Sequence, residues 1–182
     1  MTVRHAGPRP GQKQVDKASM LRVNQAGEFG ATRIYAGQIA VLGDRHPMGR
    51  AVAGMAAQEE RHRQHFDAMM ARRGVRPTLL APLWDRAGFA LGAVTAAMGP
   101  EAAMACTAAI ETEIDRHYSA QLDELGDTDP ELTEAIRDFQ AEEVEHREIA
   151  LASGAENAPA YPLLSGFIRL GCRTAIALSK RI

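Results

Sequence analysis

The stretch LRVNQAGEFGATRIYAGQIAVL, residues 21–42, places Leu21, Glu28, Tyr35 and Leu42 at every seventh position. MACTAAIETEIDRHYSAQLDEL, residues 104–125, places Met104, Glu111, Tyr118 and Leu125 in the same way. A seven-residue step holds side chains on nearly one face of a helix. Beyond a turn, each stretch is followed by a second shared signature, Glu59-Glu60-Arg61-His62 after the first and Glu143-Val144-Glu145-His146 after the second. The lone Glu precedes the Glu of its ExxH by 31 residues in one half, 28 to 59, and by 32 in the other, 111 to 143. The sequence is an internal repeat of a helical hairpin.

The midpoint of the first pair falls at Gly43-Asp44 and that of the second at Asp127, both turn sequences. Residues equidistant from the turn of an antiparallel hairpin lie at one height, so each lone Glu faces its ExxH, whose Glu and His share a face one turn apart. Two such hairpins converge Glu28, Glu59, His62, Glu111, Glu143 and His146 at one level of a four-helix bundle. The neighbouring periodic positions are apolar, Val52, Met55 and Phe66 around one motif and Leu132, Ile136 and Phe139 around the other. Four carboxylates buried there without partners would each cost several kcal/mol, whereas two divalent cations supply the opposite charge. One Glu from each of two helices and an ExxH from each of the other two is the donor set of a dinuclear carboxylate bundle, and carboxylate with imidazole suits iron or manganese.

Other residues on these helices carry open readings. Tyr35 and Tyr118 either fill the core with a hydroxyl that finds a partner, or hydrogen-bond to the site or take a redox role. His117 is a donor near the site, a substrate contact or a structural histidine. Asp115 is placed to orient a metal-bound histidine. Glu60, Glu142, Glu145 and Glu148 fall off the ligand stripe and read as surface charges, as His65 reads as exposed. Gly27, Gly30 and Gly37 lie on the side of Val23, Ile34 and Val41, where glycine would admit a ring or a neighbouring helix.

Periodicity marks six helices. The first runs from about Asp16 to Leu42, and the second from Pro47 to Arg73, stopping at Gly74. A low-charge third spans Pro82 to Met98. Pro100 opens a fourth that ends at Leu125, and Thr128-Asp129-Pro130-Glu131, a capping-box spacing with a proline, launches a fifth to Ala152. A sixth spans about 162–181, its periodic part being Leu163 to Arg181. The expected fold is all-α, two duplicated hairpins with a crossover helix and an additional C-terminal amphipathic helix, in one domain over 16–182. Residues 1–15, with Arg4, Arg9 and Lys13 and no apolar core, read as a flexible basic arm.

Composition agrees. At 182 residues, 46% hydrophobic and 24% charged, the chain is neither disordered nor collagenous, and its many alanines with few Val/Ile/Thr runs favour helices. A net charge of −2 gives no sign of a nucleic-acid partner. Two isolated cysteines, Cys106 and Cys172, suit a reducing cytosol and read as small apolar residues. Between Ala87 and Ile110 the only charge is Glu101, but Gly99-Pro100 breaks the run, so a spanning helix is not expected while a membrane-surface face is. After Glu156 there is no acid, and Arg169, Arg173, Lys180 and Arg181 stand among Leu163, Phe167, Ile168, Leu170 and Leu178, the pattern of an interfacial helix. Gly88, Phe89, Leu91, Gly92 and Val94 of the third helix form either the other lip of a greasy channel or ordinary packing.

Leu21-Arg22-Val23-Asn24-Gln25-Ala26-Gly27-Glu28-Phe29-Gly30-Ala31 with Arg33-Ile34-Tyr35 resembles the opening signature of the demethoxyubiquinone hydroxylases, di-iron monooxygenases of ubiquinone biosynthesis. Cys106-Thr107-Ala108-Ala109-Ile110-Glu111 with His117-Tyr118 resembles their second signature, and Glu142-Glu143-Val144-Glu145-His146 their final ligand motif. Asn24-Gln25 departs from the acidic or histidine-containing dipeptide of many members. The resemblance runs from about Asp16 to the C-terminus and implies a ferritin-like bundle with the same six ligands, Glu28, Glu59, His62, Glu111, Glu143 and His146. It implies two Fe ions, O2 as co-substrate, an external reductant that is NADH or the quinol itself, and a polyprenyl benzoquinol substrate hydroxylated on its ring. It further implies peripheral attachment at the cytoplasmic face of a bacterial inner membrane, as a homodimer or with other ubiquinone-biosynthesis proteins. A ferritin-like ferroxidase or iron-storage protein shares the ligand set and is the competing reading, with a non-catalytic membrane-binding bundle behind it.

Overall fold

A computed structural model describes residues 15–182, in which six helices and no strand occur: α1 (Lys17–Leu42), α2 (Pro47–Arg73), α3 (Ala81–Ala97), α4 (Pro100–Leu125), α5 (Pro130–Ala152) and α6 (Tyr161–Ser179). The basic arm expected over 1–15 lies, except for Val15, outside the described residues. The Asp16 carboxylate caps α1 by accepting from Ser19 N at 2.9 Å, and Gly74, in the left-handed region at φ 64°, ends α2. At α5 the capping box expected from Thr128 gives way to Asp129. With Pro130 in the first turn, the residue before it becomes the cap, and its carboxylate accepts from Leu132 N at 3.2 Å. Glu131, freed from that role, pairs instead with Arg72 and Arg73.

Helices α1 and α2 form one hairpin and α4 and α5 the other, so the repeat seen in the sequence is the architecture of the bundle. Two apolar layers fill it. One holds Leu21, Phe66, Met69, Ile114, Leu132 and Ile136, and the other Val52, Met55, Ala102 to Ala105 and Ala150. The polar stripe of the ExxH motifs lies between them.

The crossover helix α3 lies against α1, and glycine makes the approach possible. A Cβ on Gly92 would run into the Ile34 carbonyl oxygen, and one on Gly37 into the Phe89 carbonyl and, at 2.7 Å, the Ala93 amide. Gly27 and Gly30, by contrast, have nothing within 4 Å of a built Cβ. The glycine stripe of α1 thus divides: Gly37 admits a helix, while Gly27 and Gly30 border open space.

Helix α6 packs on α4 and α1, and here the interfacial reading needs correction. Ile168, expected to face lipid, is buried at 3% exposure. Arg169 and Arg173 turn inward to the Glu113 carboxylate, with Arg169 Nε at 2.6 Å from Oε1 and Arg173 Nε at 2.9 Å from Oε2. Glu113 itself is 4% exposed, so its charge needs these partners more than a lipid headgroup does. Leu163, Phe167, Leu170 and Leu178 remain exposed, as do Leu79, Leu83, Phe89 and Val94 in and before α3.

Two predictions follow from these contacts. Gly92→Ala should destabilise the fold by about 1–3 kcal/mol in urea unfolding, because the new methyl meets a backbone atom that has no rotamer to yield. The second concerns acid. Burial would raise the Glu113 carboxyl, but Arg173 and Arg169 hold it below its ordinary value. A depressed acid stabilises above its unfolded pKa and loses that contribution as pH falls through the folded one. Glu113→Gln should therefore lose about 1–2 kcal/mol at pH 7. Its stability should also fall less steeply than wild type below about pH 4.5, in urea titrations from pH 7 to pH 3.

Candidate metal centre

Glu28 and Glu111 sit mid-helix in α1 and α4, and Glu59, His62, Glu143 and His146 in α2 and α5. All six are at most 1% exposed. The hairpin geometry brings every one of them to a single cluster. His62 Nδ1 lies 3.2 Å from Glu143 Oε1 and 3.5 Å from Glu28 Oε2, while His146 Nδ1 lies 3.1 Å from Glu59 Oε1 and 3.2 Å from Glu143 Oε2. Both imidazoles therefore turn Nδ1 inward.

Two quartets emerge, Glu28, Glu59, His62 and Glu143 in one and Glu59, Glu111, Glu143 and His146 in the other, each with donor atoms within 4.8 Å of one another. Glu59 and Glu143 belong to both, as carboxylates shared by neighbouring cations do. Among the described residues, both oxygens of Glu59, one oxygen each of Glu28, Glu111 and Glu143, and His146 Nδ1 lack an aligned hydrogen-bond partner. Buried polar atoms left this way cost about 1–3 kcal/mol each, and more when charged, so the cluster fits divalent cations and fits an apolar core poorly.

The electrostatics agree. Burial, then the charges of Glu143 and its neighbours, pushes Glu59 and Glu111 well above the usual carboxylate range. Against the same burial, the adjacent imidazoles of His146 and His62 pull Glu143 down to about 2. His62 is raised to about 10 despite burial, by Glu143 and Glu28. A cation replaces this sharing of protons with a fixed charge.

Two tyrosines cross between the repeats. Tyr35 of α1 donates to Glu111 Oε1 at 2.5 Å, and Tyr118 of α4 donates to Glu28 Oε1. Burial first, and then the adjacent carboxylates, raise both phenols far above 10, so both are held as donors. Both tyrosines are core residues whose hydroxyls find partners, and those partners are carboxylates of the site.

The outer nitrogens of the histidines are also occupied. His146 Nε2 lies 2.9 Å from Gln58 Oε1, and His62 Nε2 lies 3.2 Å from Glu142 Oε2. Glu142 is thus not the surface charge its position off the ligand stripe suggested, and Gln58 was not singled out at all. Their common signal is their place in the repeat, each directly before the ExxH glutamate. Asp115 does not reach a histidine. Its carboxylate takes Arg147 and Gln140 instead.

One end of the cluster opens into a cavity of about 280 Å³ between α1, α3, α4 and α6. Gly27, Gly30, Gly88, Leu91 and Phe167 contribute to its apolar wall, and Glu28, Tyr118 and His117 are its polar end. Gly88 and Leu91 therefore line this cavity, whereas Gly92 packs against α1. Burial, with Lys180 nearby, lowers His117 to about 4, so its imidazole is neutral at pH 7. Its Nε2 lies 2.8 Å from Gln121, which is paired reciprocally with Asn24 at 2.8 Å. Asn24 thus supports the His117 side of the cavity.

Residues 16–179 match the family model described as ubiquinone biosynthesis protein COQ7. The 3-demethoxyubiquinol 3-hydroxylase of Rhodospirillum rubrum is 56% identical over 162 residues, 89% of this chain and 76% of that protein. The NADPH-dependent 3-demethoxyubiquinone 3-hydroxylase, mitochondrial, of Homo sapiens is 50% identical over 167 residues, 90% of this chain and 76% of that protein. The 5-demethoxyubiquinone hydroxylase, mitochondrial, of Saccharomyces cerevisiae is 41% identical over 179 residues, 90% of this chain and 77% of that protein.

If charge repulsion within the cluster is what a cation relieves, Glu59→Gln should act in opposite directions with and without metal. In chelator its Tm should exceed that of wild type, at about 2–4 °C per kcal/mol for a chain of this size. With excess Mn2+ the order should reverse, because a missing donor weakens metal binding by roughly 10–100-fold. A Tm difference of one sign under both conditions would contradict the charge argument.

Proposed function

Because this chain belongs to the ubiquinone biosynthesis protein COQ7 family, we propose that it is an O2-dependent di-iron monooxygenase that hydroxylates the ring of a polyprenyl demethoxyubiquinol. The observation that carries the substrate reading is the apolar cavity whose inner end is Glu28, Tyr118 and His117. A ferroxidase or storage protein has the same donors and no use for such a channel. In the balanced reaction a ring C–H becomes C–OH, one oxygen atom of O2 leaves as water, and two electrons and two protons are consumed.

Glu28, Glu59, His62 and Glu143 would hold one iron ion, and Glu59, Glu111, Glu143 and His146 the other. Bound there, the iron pair supplies the redox chemistry that activates O2. The chain supplies the rest. Tyr118 and Tyr35 fix the carboxylates of Glu28 and Glu111, and the apolar walls keep water from the reacting ring. Neutral His117 is available to orient a quinol oxygen. The electrons come from an external reductant, NADH or the quinol itself.

No helix among the described residues is long and apolar enough to cross a membrane. A polyprenyl tail must nevertheless reach the cavity from a bilayer. Exposed Leu163, Phe167 and Leu170 on α6, with Leu83 and Phe89 on α3, lie beside residues that wall the cavity. This supports peripheral attachment to the membrane by α6, and the same reading takes residues 16–182 as a single domain at the cytoplasmic face of a bacterial inner membrane. Lys180 and Arg181, rather than Arg169 and Arg173, are the charges left for anionic headgroups.

Deleting the gene should make cells accumulate ubiquinone lacking one methoxy group, read by mass analysis of extracted quinones. Glu143→Ala should fail to restore ubiquinone and should bind half or less of the wild-type iron, since Glu143 belongs to both quartets. Unchanged ubiquinone in a deletion strain with no second such enzyme would sink the assignment.

A further inference from the structure

The two histidines are held from outside by residues that differ in charge. Gln58 and Glu142 occupy equivalent positions of the repeat, and each reaches across to the opposite hairpin, Gln58 of α2 to His146 and Glu142 of α5 to His62. In both cases an oxygen accepts from Nε2, which fixes one ring proton outside and leaves Nδ1 as the nitrogen that would give up its proton to a cation. Gln58 offers a neutral amide. Glu142 offers a carboxylate, shared at 3.2 Å with Arg61, whose side chain is 60% exposed and screens it only partly. His62 is further fixed by stacking on Phe139, with ring centroids 4.1 Å apart and planes 22° apart.

We propose that Glu142 and Gln58 are positioning residues that make the two cation positions of the cluster unequal, with the position served by His62 binding more tightly than the one served by His146. This inference rests on reading the cluster as a two-metal centre. A carboxylate behind an imidazole increases the electron density its inner nitrogen donates, whereas an amide orients the ring and adds little charge. The ligand sets are otherwise nearly mirror images, one lone Glu, one His and the same two shared carboxylates each. The Phe139 ring on His62 and the cavity beside Glu28 also differ between the two sets but carry no charge, so the charge behind the histidine is the electrostatic difference.

The test is titration of the full-length, chelator-stripped protein with Co2+, followed by its visible absorption and by calorimetry. Wild type should take up two equivalents in two steps whose affinities differ by about tenfold or more. Glu142→Gln keeps the acceptor and the shape but removes the charge, and should weaken the tight step by about tenfold while leaving the second in place, merging the two. Gln58→Glu should tighten the weaker step. Metal-free Tm values close to wild type would show that both variants fold. If Glu142→Gln reproduces the wild-type isotherm, or if both steps shift together, the inequality does not come from Glu142 and the inference fails. If wild type binds no Co2+, the metal-centre reading fails first, and this outcome is distinct from an unshifted pair of steps.

Discussion

Mutual repulsion and desolvation of four carboxylates at the centre of the bundle govern the rest of the structure. Glu28, Glu59, Glu111 and Glu143 are at most 1% exposed, and among the described residues no basic side chain other than His62 and His146 reaches them. Removing four such groups from water without compensation would exceed the whole stability of a typical domain. Every contact around them reduces that cost or fixes the geometry in which a cation can remove it. The tyrosines donate to two of the carboxylates, the histidines sit between the others, and apolar layers above and below hold the stripe at one height.

These contacts are exchanged between the hairpins. Tyr35 serves Glu111 and Tyr118 serves Glu28. Gln58 serves His146 and Glu142 serves His62. Within its own hairpin His62 approaches Glu28 and His146 approaches Glu143, but neither hairpin satisfies all of its polar groups, so the pairing of the two is coupled to completion of the site. The same logic explains the shape at the open end. Helix α6 is secured by the Glu113 carboxylate and by the Trp84 indole, which donates to Ser179 Oγ at 3.0 Å. With α6 secured, its outer apolar residues can stay exposed beside the cavity without the helix having to bury them.

The sequence was most informative where one residue type at one spacing has one physical use. The duplicated Glu, Tyr and ExxH, the symmetric turns, and the Pro and Gly at helix ends led to the six clustered residues and to helix bounds within about two residues of those observed. It was least informative where burial depends on a partner far along the chain. Glu113 reads as one acid in an acidic run, and only the approach of α6 turns it into an anchor for Arg169 and Arg173. Glu142 was assigned to the surface because it leaves the ligand stripe, yet a long side chain on the flank of one helix can reach a ring on the next. The cavity needs four helices to exist and has no signature in any one of them.

Duplication also explains why the departures from symmetry carry information. A hairpin repeat placed about a pseudo-twofold axis gives two cations identical surroundings unless particular residues differ. Here the carboxylates, histidines and tyrosines all match in type and position, so the matching residues cannot make the two positions distinct. The cavity does so geometrically, because it opens beside Glu28 and Tyr118 and not beside Glu111 and Tyr35. The Glu142 and Gln58 pair does so electrostatically, with its negative charge behind His62. Both asymmetries fall on the quartet that contains Glu28, so the position open to the apolar channel is also the one whose histidine is backed by a carboxylate.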